Sequence, residues 1–196
     1  MSQVRDVLLN TGFGYIWYTQ NVDNKSTFLS QLKQRMTDQF IQSMFSVFDT
    51  SPKCFIYKYM VNNLCLQSYL QKPITFKHKQ ILCKYRISAH SLFIETGRYY
   101  NIDRYNRICP LCNMNVVEDE YHFILVCPFY NTLRGRYIKF YYYNKPSTFK
   151  LIQLLSINNL SQLNKLCIFF DKATKYKIDN SWYSVHTYYS SPALFL

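Results

Sequence analysis

Between Arg107 and Pro128 the chain reads Arg-Ile-Cys-Pro-Leu-Cys-Asn-Met-Asn-Val-Val-Glu-Asp-Glu-Tyr-His-Phe-Ile-Leu-Val-Cys-Pro, and no other stretch restricts the fold as much. Cys109 and Cys112 form a C-x2-C pair, a spacing that lets a tight turn aim two sulfurs at one point. His122 and Cys127 follow with four residues between them, able to add a neutral imidazole and a third thiolate. Cys109, Cys112, His122 and Cys127 are therefore the candidate ligands of a closed Cys3His zinc site. Four protein ligands leave no open position for an activated water, so the expected Zn2+ is a single structural ion.

Other chemistries fit the same residues less well. Cys109-Pro-Leu-Cys112 also has the spacing of a thioredoxin-type redox pair, which should follow a strand and open a helix. The preceding Arg104 to Ile108 is polar and basic, and a redox pair leaves His122 and Cys127 without a role. Zinc deaminases need His-x-Glu followed by Pro-Cys-x-x-Cys, and here the order is inverted and the His-x-Glu pair missing. The fingers that close on a second His are excluded, because nine residues separate Cys112 from His122 and the last candidate is Cys127. Glu118, Asp119 and Glu120 precede His122 where a helix can begin, and carboxylates there favour the positive end of its dipole. His90, alone before an apolar run, reads as a hydrogen-bonded packing residue outside the site.

The rest of the chain points to a mainly α fold, a small helical domain with the Cys3His module embedded and one short hairpin or extended arm. Hydrophobic residues make up 48% of the 196, enough for a core, while only 4 are Gly, too few for a many-turned β-architecture. Gly12 and Gly14 flank Phe13 as a turn between two short elements. Phe28, Leu32, Met36, Phe40, Met44 and Phe48 recur every fourth position, predicting a helix over 26–48 capped by Asp23 or Ser26 and buried along that stripe. A second helix is expected from Phe55 to Leu70, with Cys54 and Cys65 as small buried hydrophobes, and a third from Thr75 to Ala89. Leu92, Phe93 and Ile94 suggest a strand or extended arm leading into the Cys/His stretch. Pro128 suits the first position of a helix buried along Phe129, Tyr130, Leu133 and Tyr137, and Pro146-Ser-Thr148 restarts one through Leu155. The expected organisation is 1–72, a helical N-terminal segment; 73–145, a basic helix plus the zinc-binding module; 146–171, C-terminal helices; and 172–196, a disordered tail.

Charge indicates the partner. With 23 Lys+Arg against 11 Asp+Glu the formal net charge is +12, which favours a polyanion. The candidate phosphate contacts are Lys84, Arg86, Arg98, Arg104, Arg107, Arg134 and Arg136. Tyr99, Tyr100 and Tyr105 can stack on unpaired bases or pack between arm and helix. No basic stretch followed by an apolar run opens the chain, and no apolar run approaches a membrane span. The seven Cys are thus expected as thiols in an intracellular protein, nuclear or cytoplasmic, with no membrane and no small-molecule substrate.

The series Cys83-Lys-Tyr-Arg-Ile-Ser-Ala-His-Ser-Leu92, Ile94-Glu-Thr-Gly-Arg98, Arg107-Ile-Cys-Pro-Leu-Cys112, Glu118-Asp-Glu-Tyr-His-Phe123 and Cys127-Pro-Phe-Tyr130 with Leu133-Arg134 resembles a known module. It is similar to the zinc-binding domain associated with the reverse transcriptase of non-LTR (LINE-like) retrotransposon proteins of animals, across about residues 80–140. The resemblance implies zinc on Cys109, Cys112, His122 and Cys127. It also implies a role in holding RNA, or single-stranded or target DNA, for a polymerase supplied in cis or in trans. Neither the Tyr-x-Asp-Asp polymerase signature nor an endonuclease His/Asp/Glu constellation occurs, so a non-catalytic chain is expected. Two rival expectations are a zinc-stabilised protein-interaction module and an inactive retroelement remnant.

Overall fold

In the computed structural model, which describes residues 2–189 in backbone and 3–179 in side chains, helices and turns account for the regular structure. The chain divides between Ser51 and Pro52 into two compact units, instead of after residue 72.

The first unit holds α1 (Ser2–Asn10), α2 (Gly14–Thr19) and α3 (Lys25–Thr50). Gly12, at φ +84°, turns the chain between α1 and α2 in a left-handed conformation that other residues rarely adopt. Asn24, rather than Asp23 or Ser26, caps α3 by accepting from Thr27 N at 3.0 Å. The expected stripe of α3 is periodic but only partly covered: Phe28, Leu32 and Met44 are half-buried, Met36 is 46% and Phe40 60% exposed, and Phe48 alone on this helix is buried.

The second unit opens with an irregular segment in place of the helix expected over 55–70. Two short 3-10 turns, Pro52–Cys54 and Tyr57–Tyr59, precede α4 (Ser68–Gln71). Buried Ile56, Val61 and Tyr69 are spaced for a chain draped over a core rather than for a helix face. Asn62 and Asn63 interrupt the run, their side chains competing with helical hydrogen bonds. Cys54 is half-buried and Cys65 exposed, contrary to the buried positions expected.

Beyond it come α5 (Phe76–Arg86), α6 (Phe93–Tyr99), α7 (Asn131–Tyr137), α8 (Phe140–Tyr143), α9 (Thr148–Leu155) and α10 (Leu160–Tyr189). Thr75, Ser147 and Asn159 cap α5, α9 and α10 through side-chain oxygens that accept from the first-turn N–H groups. Helix α10 packs on α5 and α7 and brings Phe169 and Phe170 into the core. There Tyr85 of α5 stacks on Phe170 with centroids 4.1 Å apart and on Phe123 at 5.4 Å, its hydroxyl bonded to Thr174 Oγ1 at 2.9 Å. Because α10 continues through Lys172–Asp179 with Ala173 fully buried, the segment expected to be a disordered tail from residue 172 is a docked helix. The remainder of that tail, 190–196, lies outside the described residues.

Candidate metal centre

Cys109 and Cys112 are presented by a narrow hairpin. Arg107 O accepts from Glu118 N at 2.9 Å and Val116 O from Cys109 N at 2.8 Å, on either side of an antiparallel bridge between Ile108 and Val117. The hairpin is one bridge long and lies within the Cys/His stretch itself, not at Leu92, Phe93 and Ile94 where the extended element was expected. Asn115, at φ +53°, makes the return, in the left-handed region that Asn tolerates better than most residues.

His122 and Cys127 lie on the facing side. Asp119 Oδ1 accepts from His122 N at 2.8 Å and starts a single π-helical turn, His122–Val126. Its closing bond, Cys127 N to His122 O at 2.7 Å, spans five residues rather than four. That wider turn is the structural meaning of the H-x4-C spacing: it sets the imidazole and the thiol on one side, while Phe123, Ile124 and Leu125 enter the core.

The four ligand atoms all lie within 4.8 Å of one another. Cys109 Sγ and Cys127 Sγ are 4.0 Å apart, and Cys112 Sγ is 3.3 Å from His122 Nε2. Bonds of ~2.3 Å to sulfur would set the edges of a tetrahedron near ~3.8 Å, so a zinc-sized ion fits once the most widely separated ligand atoms close by up to ~1 Å. Cys109, His122 and Cys127 are buried and Cys112 half-buried, and none of the sulfurs is in a disulfide. The hydrogen bond to Cys127, and burial with it, push the Cys109 thiol up to about 12, while the same bond holds Cys127 below the usual thiol range. Burial also pushes Cys112 up. Left to themselves the sulfurs share protons; a divalent cation is what allows all three to ionise together. The group can therefore bind a metal ion.

The acidic triplet before His122 does three separate jobs instead of jointly capping one helix. Asp119 caps the π turn. Glu118 reaches across to cap α6, its Oε2 accepting from Phe93 N at 2.6 Å and from Lys177 Nζ of α10 at 2.6 Å. Glu120 accepts from Ser88 Oγ and pairs with His90 Nε2 at 2.9 Å. Burial opposes its charge, and the bonds from His90 and Ser88 outweigh that, holding the carboxyl below its ordinary range. His90 is thus a packed hydrogen-bonding residue outside the ligand group. The nonlocal cap from Glu118 also explains why Leu92, Phe93 and Ile94 open a helix rather than forming a strand or arm.

Compared with known proteins, the chain matches no family model, no curated protein and no solved structure. Its functional reading therefore rests on its own residues.

The seven candidate phosphate contacts fall into two groups. Arg86 is buried under Tyr69, 4.2 Å from the ring centroid, and donates to Leu155 O through Nε at 3.0 Å. Arg134 is buried at 2% exposure and donates to Ile124 O at 2.8 Å, Cys127 O at 2.7 Å and Asn131 Oδ1 at 2.6 Å. Arg107, half-buried, donates to Ile102 O at 2.8 Å and Ile94 O at 2.6 Å. Gly97 gives it room, since a Cβ there would stand 2.8 Å from Arg107 Cγ. These three arginines hold backbone carbonyls and are not available to phosphate. Lys84, Arg104 and Arg136 are not committed in this way, and half-buried Arg98 forms an ion pair with Glu95 at 3.0 Å. Tyr99, Tyr100 and Tyr105 do not pack between arm and helix; they are 79%, 75% and 79% exposed.

No helix among the described residues is long and apolar enough to cross a membrane.

Proposed function

We propose that this chain is a non-catalytic nucleic-acid-binding module held in shape by one structural Zn2+, derived from the region downstream of a retroelement reverse transcriptase. The observation that carries the reading is the convergence of Cys109, Cys112, His122 and Cys127 within 4.8 Å. Everything else depends on the ion fixing that loop.

The link from metal to nucleic acid runs through Arg107. It belongs to the hairpin that carries Cys109, and its guanidinium clamps the carbonyls of Ile94 and Ile102. With the hairpin fixed, α6 and the following turn present Tyr99, Tyr100, Arg104 and Tyr105 to solvent as a rigid aromatic and basic arm. Single-stranded nucleic acid is bound by this combination, bases on rings and phosphates on cations. The retroelement origin and the polymerase partner rest on the sequence resemblance.

The test has two arms. Elemental analysis of the purified chain should give one zinc, lost in Cys112→Ser. Binding to single-stranded RNA or DNA should weaken steeply with added salt and drop further in a Tyr99→Ala/Tyr100→Ala/Arg104→Ala variant. Absence of metal from the wild type, or affinity indifferent to salt, would end the reading. The second reading, a zinc-stabilised protein-interaction module, has the exposed apolar stripe of α3 in its favour, and it predicts that the metal is present while oligonucleotides do not bind.

A further inference from the structure

After Glu120 the chain has no acidic residue until Asp171. The same stretch contains Arg134, Arg136, Lys139, Lys145, Lys150 and Lys165. Arg134 is occupied inside the protein. None of the other five has a carboxylate partner among the described residues. Uncompensated like charges on one surface repel one another, so an arrangement of this kind is relieved by a polyanion.

The charges are not scattered. Between the end of α7, the short α8 and the first turns of α10 lies a recess of about 290 Å³, lined in part by Arg136, Lys139, Phe140, Tyr143, Gln162 and Lys165. Its size is near the lower limit of ligand pockets, ~300 Å³, and suits a planar ring better than a bulky chain. Phe140 lines it and Tyr141 follows in the same short helix, packed edge-on to the lining Tyr142, both with much of their surface in water: Phe140 is 64% exposed and Tyr141 51%. Phe140 is held edge-on to Tyr143 with centroids 5.3 Å apart, and Lys150 sits 4.8 Å over the Tyr141 ring. Rings fixed in place yet left wet are stacking platforms, and here every charged neighbour is a cation.

We infer that the α7–α8–α10 corner is a second contact site for single-stranded nucleic acid, with phosphates on Arg136, Lys139 and Lys165 and a base against Phe140. The inference builds on the nucleic-acid reading above and adds a site separate in sequence from the Tyr99–Tyr105 arm. A duplex is disfavoured because its bases are stacked away from such a platform, whereas a single strand offers both ring faces and phosphates.

The experiment uses the full chain and fluorescently labelled oligodeoxythymidine and oligouridine. An Arg136→Ala/Lys139→Ala/Lys165→Ala variant should lower the slope of log affinity against log salt by about 2, at roughly 0.7 for each phosphate no longer neutralised. Phe140→Ala should cost about tenfold in affinity with the slope unchanged. A charge-keeping Arg136→Lys/Lys139→Arg/Lys165→Arg variant should restore the wild-type slope, which separates missing charge from a damaged fold. If the wild type binds and the corner variants bind equally well, only the arm is at work and this site is overturned. If the wild type binds no oligonucleotide, the proposed function falls and takes this site with it. Phosphatidylserine vesicles provide the remaining comparison: vesicle binding abolished in the triple variant, with oligonucleotide binding intact, assigns the corner to a lipid surface and refutes the inference.

Discussion

Arginines close to the metal loop show how one residue type is divided between structure and surface. Arg134 is buried with its guanidinium shared among two carbonyls and an amide oxygen, one of those carbonyls belonging to the candidate ligand Cys127. Burial draws its pKa below the usual arginine value without removing its role as a donor. Arg134→Met keeps much of the volume but leaves Ile124 O and Cys127 O without that donor, and should cost about 3 kcal/mol in chemical denaturation. Arg136→Met, on an exposed residue two positions on, should cost less than ~0.5 kcal/mol. Equal effects at the two positions would contradict this division. The four candidate ligands were legible in the sequence because their spacing is a local property of a turn and one helical twist. The fates of Arg86, Arg107 and Arg134 were not: Leu155 is 69 residues from Arg86, and the nearer carbonyls held by Arg107 and Arg134 come within reach only through irregular turns that no sequence period marks.

At the level of elements, helices with local signals were easiest to read. Pro73 and Thr75 mark the start of α5, and Pro146 and Ser147 that of α9. Helix α6 escaped because its cap comes from Glu118, 25 residues beyond Phe93, and a sequence window sees only an apolar tripeptide. That carboxylate is 1% exposed in its side chain and paired with Lys177, so Glu118→Ala removes the cap of α6 and strands the lysine. A loss of about 3–5 kcal/mol is expected, with Glu118→Gln recovering part of it. The ion pair between Lys77 of α5 and Asp171 of α10, at 2.6 Å, behaves differently because it is partly open to water. The bond from Lys77, chiefly, holds the Asp171 carboxyl below its ordinary value. A depressed carboxyl contributes stability above its unfolded pKa of about 4, and loses it as pH falls through the lower folded value. Wild type should therefore exceed Asp171→Asn in stability by no more than ~1 kcal/mol near neutrality, with the two converging in acid. A gap that persists at the lowest pH would show that the pair is not its source.

For the molecule as a whole, the candidate metal centre and the core are one system. The loop carrying His122 and Cys127 also supplies Phe123 to the aromatic stack around Tyr85, so withdrawing the ion with a chelator should lower the melting temperature of the second unit and weaken the near-ultraviolet signal of its tyrosines. Retention of both would mean the sulfurs and the imidazole hold the loop unaided. Composition foretold a helical, basic protein of this kind. It could not foretell that the lysine-rich segment after residue 171 is docked, since what holds it there is Ala173 packing and a carboxylate 59 positions earlier in the chain. That long-range pairing gives synthesis an order. A nascent chain that has emerged as far as Pro128 already owns all four candidate metal ligands, yet Glu118 must wait for Lys177 to be made before its buried charge is answered. On the proposed function, tight capture of zinc would accordingly come late, and a fragment ending short of Lys177 should release the ion faster than the complete chain.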